Sequence, residues 1–501
     1  SRDKWIQAAL TVEGKIGNWD VTATGGHLRR KTETQLDYSD YAYFYDALAG
    51  YGNYFYDNAG NLVNPNQYIE GVDTYKKSFG ELRVASPADA PVRFIGGLFA
   101  QRQSHIIDQN YIIDNIADSI TVTGTDSNIW LTMQKRVDRD YAAFGELTYD
   151  LTEKLSLTGG LRYYKFDNSL QGFFGFSSGY SSRTGEAACL NTDGTTRRAN
   201  PSGTPVPILV DGSPCTNVDK STSDTGFIHK LNATYKVNDD VLLYATWSRG
   251  FRPGGINRRG TLPPYGSDKL DNYELGWKTT FGAFRWNGAV FQEDWNNIQL
   301  SFLGANGLTE IRNAGISRIR GVEMDAGFRA GGFSINTGFS YNDAQIRRDF
   351  CAIANANFDC STPGNSLLAS AGSRLPVTAK LKGNAIARYE FPVADWDGHV
   401  QFAVNHIGSR KSDLRPAQNA IKGDLGAYTT ADFSVGVKSD LWTIEAFATN
   451  LFDTRGIVNT GVQCLETVCG TDVTPATPTG GAFYDVLIKP RLIGVKFSRD
   501  F

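Results

Sequence analysis

The stretch LSLTGGLRYY, Leu155–Tyr164, alternates with a period of two. Leu155, Leu157, Leu161 and Tyr163 share one register, and Ser156, Thr158, Gly160 and Arg162 share the other. Successive side chains of a pleated strand point to opposite faces, so this is a strand with one apolar and one polar side. The split recurs in GHVQFAVN, where Val400, Phe402 and Val404 oppose Gln401, Ala403 and Asn405. It recurs again in DFSVGVKSD, where Phe433, Val435 and Val437 oppose Ser434, Gly436 and Lys438. What kind of sheet these strands build is decided by their connections.

Seventeen such strands are expected, centred near residues 10, 28, 80, 100, 140, 162, 230, 247, 275, 292, 318, 341, 383, 405, 433, 450 and 492. Tight turns such as GKIGNW, SPADAP, DLTEK, KVNDD, FGAF, RAGGF, ADWDG and KSDLW sit at every second junction. Between them lie mostly long, polar loops, near 40–73, 110–129, 173–222, 351–373, 411–425 and 461–481, with shorter exceptions near 256–267 and 303–307. A sandwich has no reason to gather its long loops at one end. A membrane-spanning antiparallel β-barrel does, with short periplasmic turns and longer extracellular loops. Hydrocarbon offers no water to an unpaired strand edge, so such a sheet must close on itself. Seventeen is odd, however, where bacterial single-chain barrels are even, and by this parity the first strand already runs inward. The chain therefore reads as the C-terminal part of a longer barrel.

Composition agrees. Fifty-three glycines, 23 tyrosines and 29 phenylalanines against two methionines make a strand-and-turn chain, and the net charge of -3 gives no argument for nucleic acid. Mean hydropathy is -0.32, and no run of about eighteen apolar residues offers a transmembrane helix. The six cysteines fall as local pairs in the long loops: Cys189 with Cys215, Cys351 with Cys360, and Cys464 with Cys469. Proximity makes these three disulfides, formed in an oxidising compartment, since no CxxC spacing and no nearby histidine favour zinc.

Several segments then resemble the barrel of TonB-dependent outer-membrane receptors of Gram-negative bacteria. They are LYATWSRGFRPGGINRR (Leu243–Arg259), LDNYELGWKTTF (Leu270–Phe281), IRGVEMDAGFR (Ile319–Arg329), WTIEAFATNLFDTRG (Trp442–Gly456) and the ending IKPRLIGVKFSRDF. The resemblance implies a barrel of about 22 strands, of which the chain holds the last seventeen, residues 1–501 being barrel domain throughout. It also implies a plug domain in the lumen, preceded by a short TonB-gripping box. No plug is seen before the first strand. Either plug and first strands lie outside this sequence or the protein is a plugless relative, and the first is preferred because an open barrel leaves two unsatisfied edges. The implied function is active transport: a scarce, bulky small-molecule solute (a siderophore-like chelate, cobalamin, carbohydrate or similar) is bound at external loops and imported with TonB-supplied energy. The alternative is a passive, porin-like channel. Partners implied are outer-membrane lipid and lipopolysaccharide, a TonB-type protein and the outer-membrane assembly machinery, which would read the terminal Phe501.

Candidate ligand contacts come from aromatic and cationic residues beyond the strand ends. In the tyrosine-rich stretch from Tyr38 to Asp57, Tyr38 and Tyr41 read as membrane-interface girdle, whereas Tyr51, Tyr54, Phe55 and Tyr56 read as an aromatic mouth. Phe173 and Phe174 cap another strand in the same manner. Arg252, Arg258 and Arg259 suit an anionic ligand. DNAGN (Asp57–Asn61) reads as a hairpin turn and not a calcium loop. The five histidines are scattered, with no metal-ligand spacing, so neither catalysis, a bound metal nor a cofactor is expected.

Overall fold

The computed structural model describes residues 1–41, 55–180, 184–189, 207–303, 309–352, 360–361, 365–462, 473–474, 477–478 and 483–499. Seventeen strands form one antiparallel sheet. They are β1 (Arg2–Ile16), β2 (Trp19–Asp37), β3 (Gln67–Ala85), β4 (Val92–Ile113), β5 (Asn128–Asp150), β6 (Leu155–Phe176), β7 (Val218–Lys236), β8 (Val241–Arg252) and β9 (Asp268–Phe281). The series continues with β10 (Phe284–Asn296), β11 (Ile316–Ala330), β12 (Phe333–Ile346), β13 (Leu381–Val393), β14 (Trp396–Ile407), β15 (Tyr428–Lys438), β16 (Trp442–Thr449) and β17 (Leu492–Arg499). Each strand pairs with the next in the chain, from β1 on β2 to β16 on β17. The expected strands are all present, although the position near 450 lies just past the end of β16.

The alternation of connections is stricter than the sequence suggested. One end has turns such as 17–18, 282–283 and 331–332, the longest being 86–91. The other end has 38–66, 114–127, 177–217, 253–267, 297–315, 347–380, 408–427 and 450–491, so the two loops expected to be short still exceed every turn. Strands reach further into the loops than expected: β3 begins at Gln67 and β6 runs to Phe176. At 282–283 the chain reverses in two residues, with Gly282 at φ +57°, a conformation natural to glycine in a tight hairpin.

Strand β6 shows why the sheet is so tall. In the lower half of β6, Leu157, Leu161 and Tyr163 are exposed on one face, as a lipid-facing surface must be. Above them the apolar residues change sides, and Tyr164, Phe166, Leu170 and Phe173 are buried on the inner face or under loops. Below Tyr163 the apolar residues of the strand point outward, as a lipid-facing wall would require; above it they point inward, and ordinary globular patterning returns.

Accordingly the packed cores lie under the long loops. One joins Phe55, Ile113, Ile116, Ile129, Trp130, Phe176 and Tyr180. A second joins Ile298, Ile346, Phe350, Leu375 and Leu414, and a third joins Val122, Leu131, Phe173 and Cys189. Disulfides close Cys189 on Cys215 and Cys351 on Cys360, with Cα atoms 6.3 and 5.3 Å apart. The pair expected at Cys464 and Cys469, and the terminal Phe501, lie outside the described residues.

Candidate functional site

On the inner side of the long-loop end is a cavity of about 700 Å³. Aromatic rings form one wall. Tyr38 stacks on Tyr41 at 4.8 Å and meets Tyr111 edge-on at 5.5 Å. Strand pairing sets Tyr111 opposite Trp130, and Trp130 packs edge-on against Phe174 and Phe176, each 4.6 Å away. Tyr265 and Tyr484 add rings from two further loops. Such rings present flat apolar area with few rotors and, for tyrosine, a polar tip.

Basic side chains complete the lining. His105, Arg136, Arg258 and Lys422 all reach the cavity. His105 stacks on Tyr75 and is 2.9 Å from Asp73, and Arg136 Nε donates to both oxygens of Asp138 at 3.0 Å. Each of these two therefore has its own carboxylate partner. Arg258 is held differently: its carbonyl accepts from Gln134 Nε2 at 3.0 Å, while among the described residues its guanidinium makes a single 3.5 Å contact, to Gln109. That leaves most of its five N–H donors for a ligand. Lys422 ends the short helix α1 (Pro416–Lys422) with Asp413 at 3.9 Å, and burial depresses its pKa. The Arg258 guanidinium, with no carboxylate partner among the described residues, favours an anionic occupant beside the aromatic walls.

Of the candidates read from sequence, Phe174 and Arg258 line this cavity. Tyr38 and Tyr41, assigned to the girdle, line it as well. Phe55 and Phe173 do not; they are 3% and 0% exposed, spent on holding loops to the sheet. Tyr56 is exposed on a hairpin with Leu62–Val63, whose turn is clipped by the Asp57 carboxylate accepting from Ala59 and Asn61. Arg252 is engaged by Asp268, lies over Trp295, and donates to the Gln299 carbonyl. Arg259 is half-buried between Thr261 and Glu310, and burial lowers its pKa. Tyr51 and Tyr54 lie outside the described residues. His105, Tyr111, Trp130, Arg136, Tyr265, Lys422 and Tyr484 were missed; the signal available for Tyr111 was its shared register with His105 on β4, carried past the membrane level.

One motif escaped the sequence reading. GFSSG, Gly175–Gly179, has the G-x-S-x-G spacing of a nucleophile elbow. Its context is wrong: the stretch ends an antiparallel strand, and the buried Ser177 hydroxyl has no histidine bonded to it.

A sequence model described as "TonB dependent receptor-like, beta-barrel" matches residues 3–451. The chain belongs to this family. The receptor barrel is 23% identical over 441 residues to the pesticin receptors of Yersinia enterocolitica serotype O:8 and Yersinia pestis. That match covers 86% of the chain and 55% of either relative, so the chain spans about half their length. Among solved structures, the ferric yersiniabactin uptake receptor FyuA of Yersinia pestis superposes with a TM-score of 0.69 at 17% identity, over 100% of the chain and 61% of that receptor. The siderophore receptor PiuA of Acinetobacter baumannii gives 0.63 at 12%, over 99% and 64%. At these identities the structures support the fold of the receptor barrel and not its ligand.

Proposed function

We propose that this chain is the greater part of the wall of an outer-membrane active-transport receptor. It would bind a scarce, bulky, anionic solute, in the class of siderophore-like metal chelates, at its long-loop end. Import would draw on a TonB-type protein acting through a plug supplied by residues outside this sequence. The observation that supports this reading is the cavity's combination of Tyr38, Tyr111, Trp130, Phe174 and Tyr265 with Arg258 and Lys422. Rings supply contact area, and the cations supply charge recognition. The lumenal wall below is polar: Tyr244 covers Gly276 and donates to Glu274 at 2.7 Å, and Asn287 donates to Asp325. A cylinder of this width is too wide for its own side chains to fill, which is why a plug is required for selectivity.

The test uses the full-length protein. Anionic ferric chelates are titrated against intrinsic fluorescence, then uptake is followed in cells with and without TonB. Saturable binding that is lost on Arg258→Glu, with uptake only when TonB is present, supports the reading. Uptake independent of TonB overturns active transport in favour of a passive channel.

A further inference from the structure

Loop 253–267 joins β8 to β9, yet it is anchored on β5, β6 and β7. At its base, Gln299 Nε2 donates to the carbonyls of Pro253 and Gly266 at 2.9 and 3.0 Å, and Gly255 and Tyr265 exchange backbone bonds at 3.0 and 2.9 Å. The loop is thereby closed at its root and lies back over the strands that precede it. Three side chains receive it there. Asn168 on β6 donates to the Gly254 carbonyl at 2.9 Å, and Gln134 on β5 to the Arg258 carbonyl at 3.0 Å. Lys220 on β7 donates to the Gly260 and Leu262 carbonyls at 2.6 and 2.5 Å. The fit is flush, since a Cβ added to Gly260 would stand 2.1 Å from the Asn217 carbonyl oxygen.

Each bond from this wall ends on a backbone carbonyl, so the wall fixes the course of the loop whatever side chains the loop carries. The Arg258 side chain is left to line the cavity. Gln134 shows what the arrangement costs. It is 0% exposed, and its amide oxygen has no hydrogen-bond partner among the described residues. Burying an unpaired acceptor is unfavourable, and an apolar side chain of the same shape would avoid it. What the amide contributes in return is its hold on the Arg258 carbonyl. We propose that Gln134, together with Asn168 and Lys220, is a positioning residue for anion recognition, setting the backbone at Arg258 so that the guanidinium meets the solute. The charge preference of the cavity then resides in one side chain on a loop whose path the wall dictates. This role rests on the anionic-solute reading given above.

The full-length protein in neutral detergent is titrated with two anionic chelates, ferric tris-catecholate and ferric citrate, and the tighter of the two serves as probe. Hydrogen exchange is followed without it. Gln134→Met with Asn168→Leu removes the bonds to Arg258 and Gly254 while keeping side-chain size. Exchange of peptides covering 253–267 should accelerate about twenty-fivefold, about fivefold for each bond, and that of β10 to β12 should not change. Probe binding should weaken about threefold or more in the wild-type background and less than about 1.5-fold in an Arg258→Ala background, because a residue acting through Arg258 then has nothing to position. Gln134→Met alone should show the same coupling at smaller size. Equal weakening in both backgrounds, undiminished binding, or unchanged exchange of 253–267 overturns the positioning role alone. Failure of the wild type to bind either chelate overturns the anionic-solute reading, and the positioning role with it.

Discussion

Asn217 offers the sharpest test of how the cavity wall is held. Its amide nitrogen donates to the carbonyls of Phe174 and Gly185, each at 3.0 Å, and its amide oxygen accepts from the Phe174 N–H at 3.1 Å. One buried side chain therefore clips the 184–189 segment to the end of β6, beside the residue that faces the cavity. Asn217→Ala removes all three bonds and leaves their backbone partners buried. At about 1 kcal/mol net per bond, local opening should become easier by about 3 kcal/mol, roughly a hundredfold in the opening equilibrium. Hydrogen exchange by mass spectrometry reads this directly: peptides covering 173–189 should exchange about a hundredfold faster, and those covering β10 to β12 should not change. Asn217→Asp keeps the acceptor and loses the donors, so it should fall between. An increase under threefold, or one spread evenly over the barrel, would refute the clip.

Other perturbations probe separate links. Trp130→Ala removes three edge-on ring contacts in a packed cluster and should cost about 3–5 kcal/mol of loop-end stability, measured by the same exchange, with loss of chelate binding. Arg258→Ala should weaken an anionic chelate about tenfold, read as a change in Kd with the unfolding midpoint unmoved. Gly282→Val places a β-branched residue at φ +57° and should cost about 1–2 kcal/mol in urea unfolding of the barrel. Asp424 is held below the usual carboxylate range by Asn419 and then Lys411. Its contribution to docking α1 is therefore full above the ordinary carboxylate pKa and lost as pH falls through the lowered folded value. Exchange of α1, corrected for intrinsic rate, should accelerate in that acidic window, and Asp424→Asn should flatten the profile.

The barrel was legible because lipid imposes a rule on every crossing strand: Leu157, Leu161 and Tyr163 must share a face whatever the loops do. The site was less so. Above the membrane the meaning of the same alternation reverses, and sequence gives no mark of the height at which this happens. Phe173 and Phe174 are adjacent, yet one is core and the other cavity wall. Arg252 and Arg258 likewise look alike in sequence. Register sets Asp268 opposite Arg252 and engages it, whereas Arg258 lies in a loop where no partner is imposed. Tyr38 and Tyr41 were assigned to the girdle because they follow a strand directly, but both line the cavity.

The change of sides between Tyr163 and Tyr164 also makes strand length a specified quantity. Deleting two residues from a crossing strand preserves its alternation, and every pattern-based reading would pass it. The deletion would nonetheless draw the upper part of the strand inward by about 6–7 Å along its axis. Lys165 would then descend to the level of Tyr163, and Phe166 would leave its buried position beside Phe251. Two-residue insertions and deletions within β6 should therefore not be tolerated.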